Sequence, residues 1–169
     1  SLNSLGGLYG AKKDWRTSIR YFTEALEIKR KVLGSEHIEI AGLYSNIGAA
    51  YAKQKKYTDA TQFYVDAIQI YDKNNIQSHP KLVDNLWQLG NIYRELGKNA
   101  AAMDVFKRQL SILDLKKGLA DADKAVLLNH IGYTYQKLGD NEKAEIIYKR
   151  AITLQEKSYG QNHPEVTAN

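Results

Sequence analysis

Leu127-Leu128-Asn129-His130-Ile131-Gly132-Tyr133-Thr134-Tyr135, followed by Ala144, Tyr148 and Ala151, decides the fold, because the same arrangement occurs four times. Gly132 steps back to Gly90, Gly48 and Gly6 at a constant interval of 42 residues. The same step carries Tyr135 to Tyr93, Tyr51 and Tyr9, and Ile131 to Leu89, Ile47 and Leu5. The second half of the unit keeps register too. Tyr148, Phe106, Tyr64 and Phe22 form one column, and Ala151, Gln109, Ala67 and Ala25 the next, where only Gln109 is not small. A period between about 20 and 50 residues means stacked supersecondary units, none of which buries its apolar face alone.

Each unit reads as two helices. Leu2 to about Lys12 forms the first, with Leu2, Leu5 and Tyr9 on one face and three glycines that weaken it, so that it frays unless a neighbour packs on it. A turn at Lys13-Asp14 leads to a second helix whose stripe is Ile19, Phe22, Leu26, Ile28 and Val32, closed by Gly34. Gly118 and Gly160 share the phase of Gly34, and Asn74-Asn75 replaces it in the second unit, as expected of left-handed residues that end helices. Glu36-His37-Ile38, Ser78-His79-Pro80 and Asn162-His163-Pro164 open the later units as helix starts, with Asp121 as the N-cap where no histidine occurs. Short connections follow at Lys55-Lys56, Gly97-Lys98 and Gly139-Asp140. Gly48, Gly90 and Gly132 facing Ala60, Ala102 and Ala144 let paired helices approach closely, and Tyr64, Phe106 and Tyr148 fill the gap that remains.

The chain has 169 residues, 43% hydrophobic and 25% charged, which is the composition of a globular protein. No apolar run reaches the ~18 residues that span a bilayer, and the absence of cysteine fits a reducing compartment, taken here as the cytoplasm. The net charge of +5 admits an acidic partner or nucleic acid. Lys29, Arg30, Lys31, Lys73, Lys116, Lys117 and Lys157 gather near the ends of second helices, where they complement the helix dipole.

Leu86-x-x-Leu89-Gly90-x-x-Tyr93, then Ala102, Phe106 and a late small residue, resembles the tetratricopeptide repeat across essentially the whole chain. The unit is longer than the usual ~34 residues, and the usual late proline is replaced by Arg30, Asp72, Asp114 and Glu156. This lengthened form, with His-Pro before the next unit, is similar to the repeats of kinesin light chains. The resemblance implies an all-α, right-handed α-solenoid of four antiparallel helix hairpins and eight helices. Its repeats run over about 1–36, 37–78, 79–120 and 121–162, with 163–169 opening a truncated further repeat. It also implies a scaffold that holds a peptide or protein segment in a concave groove lined by the first helices.

Carried over residue by residue, the groove positions are Ser45, Ala49 and Ala52; Asp84, Trp87, Asn91 and Arg94; and Asn129, Tyr133, Gln136 and Lys137. Asn3, Gly7, Gly10 and Glu95 share that aspect. Periodicity agrees for one helix, since Asp84, Trp87, Asn91 and Arg94 lie on one face, away from Leu86, Leu89 and Tyr93. Trp87 and Tyr133 are either peptide-contacting aromatics or packing against an adjacent unit. Asn91 and Asn129 carry the donor and acceptor that hold a peptide backbone. His37, His79 and His163 stand one or two repeats apart, too far for a shared metal. No cofactor site, cysteine nucleophile or phosphate-binding glycine loop is present, so the chain reads as a binder and not an enzyme. A helical-repeat nucleic-acid binder and a peptide-sensing regulatory module of a larger protein are the alternatives. The first is disfavoured because the groove mixes Asp84, Glu95, Arg94 and Lys137 with no basic stripe. The open ends point to head-to-tail self-packing.

Overall fold

In the computed structural model, residues 1–115 and 121–159 are described. They form eight α-helices and, among the described residues, no strand: α1 (Leu2–Ala11), α2 (Trp15–Leu33), α3 (Ile38–Lys53), α4 (Tyr57–Lys73), α5 (Pro80–Glu95), α6 (Asn99–Leu115), α7 (Asp121–Lys137) and α8 (Asn141–Tyr159). The 42-residue periodicity thus becomes an all-α protein of paired helices. Gly118, Lys116, Lys117, Gly160 and the segment from His163 onward lie outside the described residues.

Two compact units divide the chain, Ser1–Leu96 and Gly97–Asn169. In the first, α1 pairs with α2 and α3 with α4, α2 packs on α3, and α4 packs on α5. In the second, α6 packs on α7 and α7 pairs with α8. The core of the first unit is built from the repeating columns: Phe22, Ala25, Ile47, Ala60, Tyr64, Ala67 and Leu89 are all buried. The core of the second holds Ala102, Phe106, Ile131, Ala144 and Ala151.

Close helix approach explains the glycine column. A Cβ on Gly6 would lie 2.5 Å from the Phe22 ring, one on Gly132 2.7 Å from the Tyr148 ring, and one on Gly48 3.4 Å from the Ala60 carbonyl oxygen. The same packing keeps α1 regular despite its glycines, and the buried Ser18 hydroxyl donates to the Gly6 carbonyl at 2.7 Å.

Three local expectations are corrected. Ile28 and Val32 are 50% and 75% exposed, because the buried face of α2 is Ser18, Phe22, Ala25 and Leu26, which leaves position 28 off the 3.6-residue stripe. Gly34 ends α2 with φ 86 and ψ 162, positive in φ but not left-handed helical, whereas Asn75 takes φ 55. Asp121 is the first residue of α7 and not its cap, and its carboxylate accepts from Lys157 at 2.6 Å.

The histidines that open α3 and α5 are capping residues. His37 Nδ1 accepts from the Glu39 backbone N–H at 3.2 Å, and His79 Nδ1 accepts from Lys81 N–H at 3.1 Å. This is the work a Ser or Asp side chain does at other helix starts.

Candidate functional site

The predicted groove positions are all outside the buried core. In the first unit, α3 presents Ala49 and Ala52 and α5 presents Asn91, and the three line one cavity of about 250 Å³. Its floor is apolar, from Tyr57 and Tyr64 of α4 and Ile92 of α5, and its rim is polar, from Lys53, Gln88 and Glu95. Burial pushes the Tyr64 phenol well above its ordinary pKa, so it stays neutral and serves as wall. The alanines leave this space because their columns carry side chains elsewhere: the column of Ala49 holds Asn91 and Tyr133, and that of Ala52 holds Arg94 and Gln136.

Asn91 donates from Nδ2 to the Trp87 carbonyl at 3.0 Å, which orients its amide and leaves Oδ1 to accept. Trp87 and Arg94 are half-buried and Asp84 is exposed on the same helix. Ser45 spends its hydroxyl on the Ala41 carbonyl at 2.8 Å, so its side chain serves α3 itself.

A second cavity of about 250 Å³ in the first unit was not anticipated. Asn3 and Asn46 meet there, with Asn46 Nδ2 donating to Asn3 Oδ1 at 3.1 Å, beside an ion pair of Lys29 with Glu39. The Lys29 ammonium holds the Glu39 carboxyl below its usual range. His79, packed 5.0 Å from the Tyr71 ring, and Lys81 complete the wall. The signal was available in sequence, since Ser4, Asn46, Gln88 and His130 form a polar column one residue beyond the predicted one.

In the second unit, α7 carries Asn129, Tyr133, Gln136 and Lys137. The Lys137 ammonium sits 5.1 Å from the Tyr133 ring centroid, a cation–π pair on an exposed aromatic. Asn129 Oδ1 is shielded from solvent and accepts no hydrogen bond. Gln136 lines a different cavity, of about 400 Å³, with Ala144, Tyr148 and Ile152 of α8. Tyr133 and Lys137 are thus brought together, and Gln136 faces elsewhere. Among the described residues no cluster of three or more His, Asp or Glu side chains is placed to hold a metal, and no helix is long and apolar enough to cross a membrane.

Helix pairs that repeat every 42 residues around a Gly–aromatic contact are matched by tetratricopeptide-repeat families over residues 1–73, 39–114 and 125–165. The chain belongs to the tetratricopeptide-repeat family. Among solved structures, this tetratricopeptide-repeat chain is similar to BtubC (BKLC) from P. vanneervenii, with a TM-score of 0.84 and 22% identity over 96% of this chain. It spans 65% of the length of BtubC. A putative kinesin light chain of Podosopora anserina with nearly identical repeats matches at a TM-score of 0.83 and 17% identity, covering 99% of this chain and 79% of that one. MamA matches at 0.69 and 22% identity, covering 92% and 77%. No curated protein is a significant match in sequence.

Proposed function

We propose that this tetratricopeptide-repeat protein is a non-catalytic scaffold that binds a peptide or protein segment on the outward faces of its first helices. The cavity bounded by Ala49, Ala52 and Asn91 carries this reading, because it joins an apolar floor to a polar rim, the combination that seats one anchoring side chain and holds the backbone beside it. Trp87, Arg94, Asp84 and Ser45 flank it in the first unit; in the second, Asn129, Tyr133 and Lys137 offer a contact surface of their own on α7, and Gln136 one at the cavity it shares with α8. The four repeats act as one array in this reading, with boundaries near residues 36, 78 and 120.

An acidic segment suits the net charge of +5, and the cytoplasm suits a chain without cysteine. Head-to-tail self-packing is part of the same proposal. Leu5 and Leu8 of α1 are 38% and 49% exposed, whereas Ile47, Leu89 and Ile131, in the column of Leu5, are buried. A second copy that offers a second-helix face to α1 would cover them.

The decisive experiment is affinity capture with the intact protein, repeated with Trp87→Ala and Arg94→Ala, followed by shift mapping of the captured segment. Loss of capture in the variants, with shifts at Ala49, Ala52 and Asn91, is expected. A partner held equally well by both variants and by Tyr133→Ala contradicts the groove. Light scattering against concentration tests the self-contact, which predicts mostly monomer in dilute solution and, as concentration rises, open-ended growth and not a closed dimer.

A further inference from the structure

The turns that join α1 to α2 and α3 to α4 carry an unusual load of unpaired positive charge. Lys12, Lys13, Arg16 and Arg20 surround the first turn, and Lys53, Lys55 and Lys56 the second; all are exposed. Because the two hairpins of the first unit are stacked in the same sense, through α2 on α3 and α1 on α3, both turns lie on one edge of that unit. Three carboxylates share the edge: Asp14, within electrostatic reach of Arg16 and Arg20, Asp59 in the first turn of α4, and Glu95, which lines the same cavity as Lys53. Among the described residues, none of the seven cations stands in an ion pair; at the opposite edge Lys29 is paired with Glu39 and Lys73 with Glu36, while Arg30 and Lys31 are not paired.

This charge is kept against local conformational preference. Lys13 and Lys55 adopt φ of 61 and 59, the left-handed region, at the two positions that Gly97 and Gly139 fill later in the repeat. Lys56 occupies the N-cap of α4 and makes no side-chain capping bond, whereas Asp14 and Asp140 cap α2 and α8 from the same column. Arg16 and Lys56 also stand at the positive ends of their helices, where a cation is disfavoured. Departures from local rules that cluster on one surface mark a function for that surface.

The geometry points to this edge as a second docking surface, separate from the groove, for an acidic segment of a partner protein rich in Asp and Glu side chains. Two observations favour carboxylates over nucleic acid or membrane. Four of the nearby aromatic faces are already covered, and so offer no platform to a base: Tyr9 stacks on Tyr21 at 5.5 Å and Tyr51 on Phe63 at 5.4 Å, with Lys12, Arg20 and Lys56 over the rings. No large apolar side chain is exposed within either turn to enter a bilayer.

The test is fluorescence anisotropy of a dye-labelled peptide of about ten glutamates against the intact chain and two charge-matched triple variants. Lys13→Gly/Lys55→Gly/Lys56→Asn should weaken binding on the order of tenfold while raising the thermal midpoint, since each change relieves a local penalty. Lys29→Gln/Lys31→Gln/Lys73→Gln at the opposite edge should leave affinity within about twofold. No loss in the first triple variant, equal loss in the two triple variants, no binding at low salt, or tighter binding of single-stranded DNA or phosphatidylserine vesicles than of the glutamate peptide would each overturn the assignment.

Discussion

Gly6 and Gly7 are neighbours in sequence with opposite roles. A Cβ at Gly6 meets the Phe22 ring at 2.5 Å, while one at Gly7 meets nothing within 4 Å. Gly7→Ala should therefore stabilise the fold by about 0.5–1 kcal/mol, the helix-propensity difference. Gly6→Ala should destabilise it by about 1–3 kcal/mol through overpacking, and Gly132→Ala, facing Tyr148 at 2.7 Å, should do the same. Urea unfolding of the three variants checks the signs, and a Gly7→Ala variant less stable than the parent would contradict the open space at that position. The distinction was legible in sequence, because Gly6 belongs to the column of Gly48, Gly90 and Gly132 whereas Gly7 stands in a column with Ala49, Asn91 and Tyr133. Ile28 and Val32 were not legible in the same way. Hydrophobicity alone placed them inside; Ile28 is off the face that α2 turns to its neighbours, and Val32, seven residues after Ala25, shares that face but lies in the last turn of the helix.

At the level of the element, turns and caps set how firmly each helix begins. Lys13, Lys55, Gly97 and Gly139 all take positive φ, one residue per repeat, so the joint between paired helices is a fixed conformation that the side chain must accept. Lys55→Gly should gain about 1 kcal/mol and Lys56→Asn a further ~1 kcal/mol by supplying the missing cap of α4. At α5, His79→Ala should cost about 1 kcal/mol, and His79→Asn should retain most of the cap. The His-Pro motif announced a helix start, but only the geometry of Nδ1 reveals that the imidazole itself closes it. Asp14 and Asp140 cap α2 and α8 as ionised groups. Hydrogen bonds from the Thr17 side chain and backbone lower the pKa of Asp14, and those from Lys143 lower that of Asp140. A depressed folded pKa contributes stability that is fully present above the unfolded carboxylate value of ~3.9 and is lost as pH falls through the folded one. Thermal midpoints should consequently hold down to about pH 5 and fall below about pH 4, and Asp14→Asn/Asp140→Asn should shallow that decline. An unchanged acid limb in the double variant would remove these two caps from the cause.

For the molecule as a whole, the 42-residue period made the fold readable, because size, polarity and register recur together and only stacked helix pairs satisfy all three. The candidate site was readable only in outline. Ala49 and Ala52 gave no chemical signal; their meaning is the space they leave, which depends on Tyr57, Tyr64 and Ile92 from two other helices. That space yields the most direct test of the groove. Ala49 is exposed, so a larger side chain there meets the cavity and not the core, and Ala49→Phe should alter stability by no more than about 0.5 kcal/mol. The introduced ring would occupy much of the roughly 250 Å³ that an anchoring aromatic or branched residue of the partner requires. Truncating a true anchor costs at least about 2 kcal/mol, so excluding it should weaken binding by roughly 30-fold, with a similar loss in Trp87→Ala if its indole frames the bound segment. Calorimetric titration of the captured segment against both variants measures this. A segment that binds Ala49→Phe as tightly as the parent, yet loses affinity on changes at Gln136 and Lys137, would move the binding surface to α7.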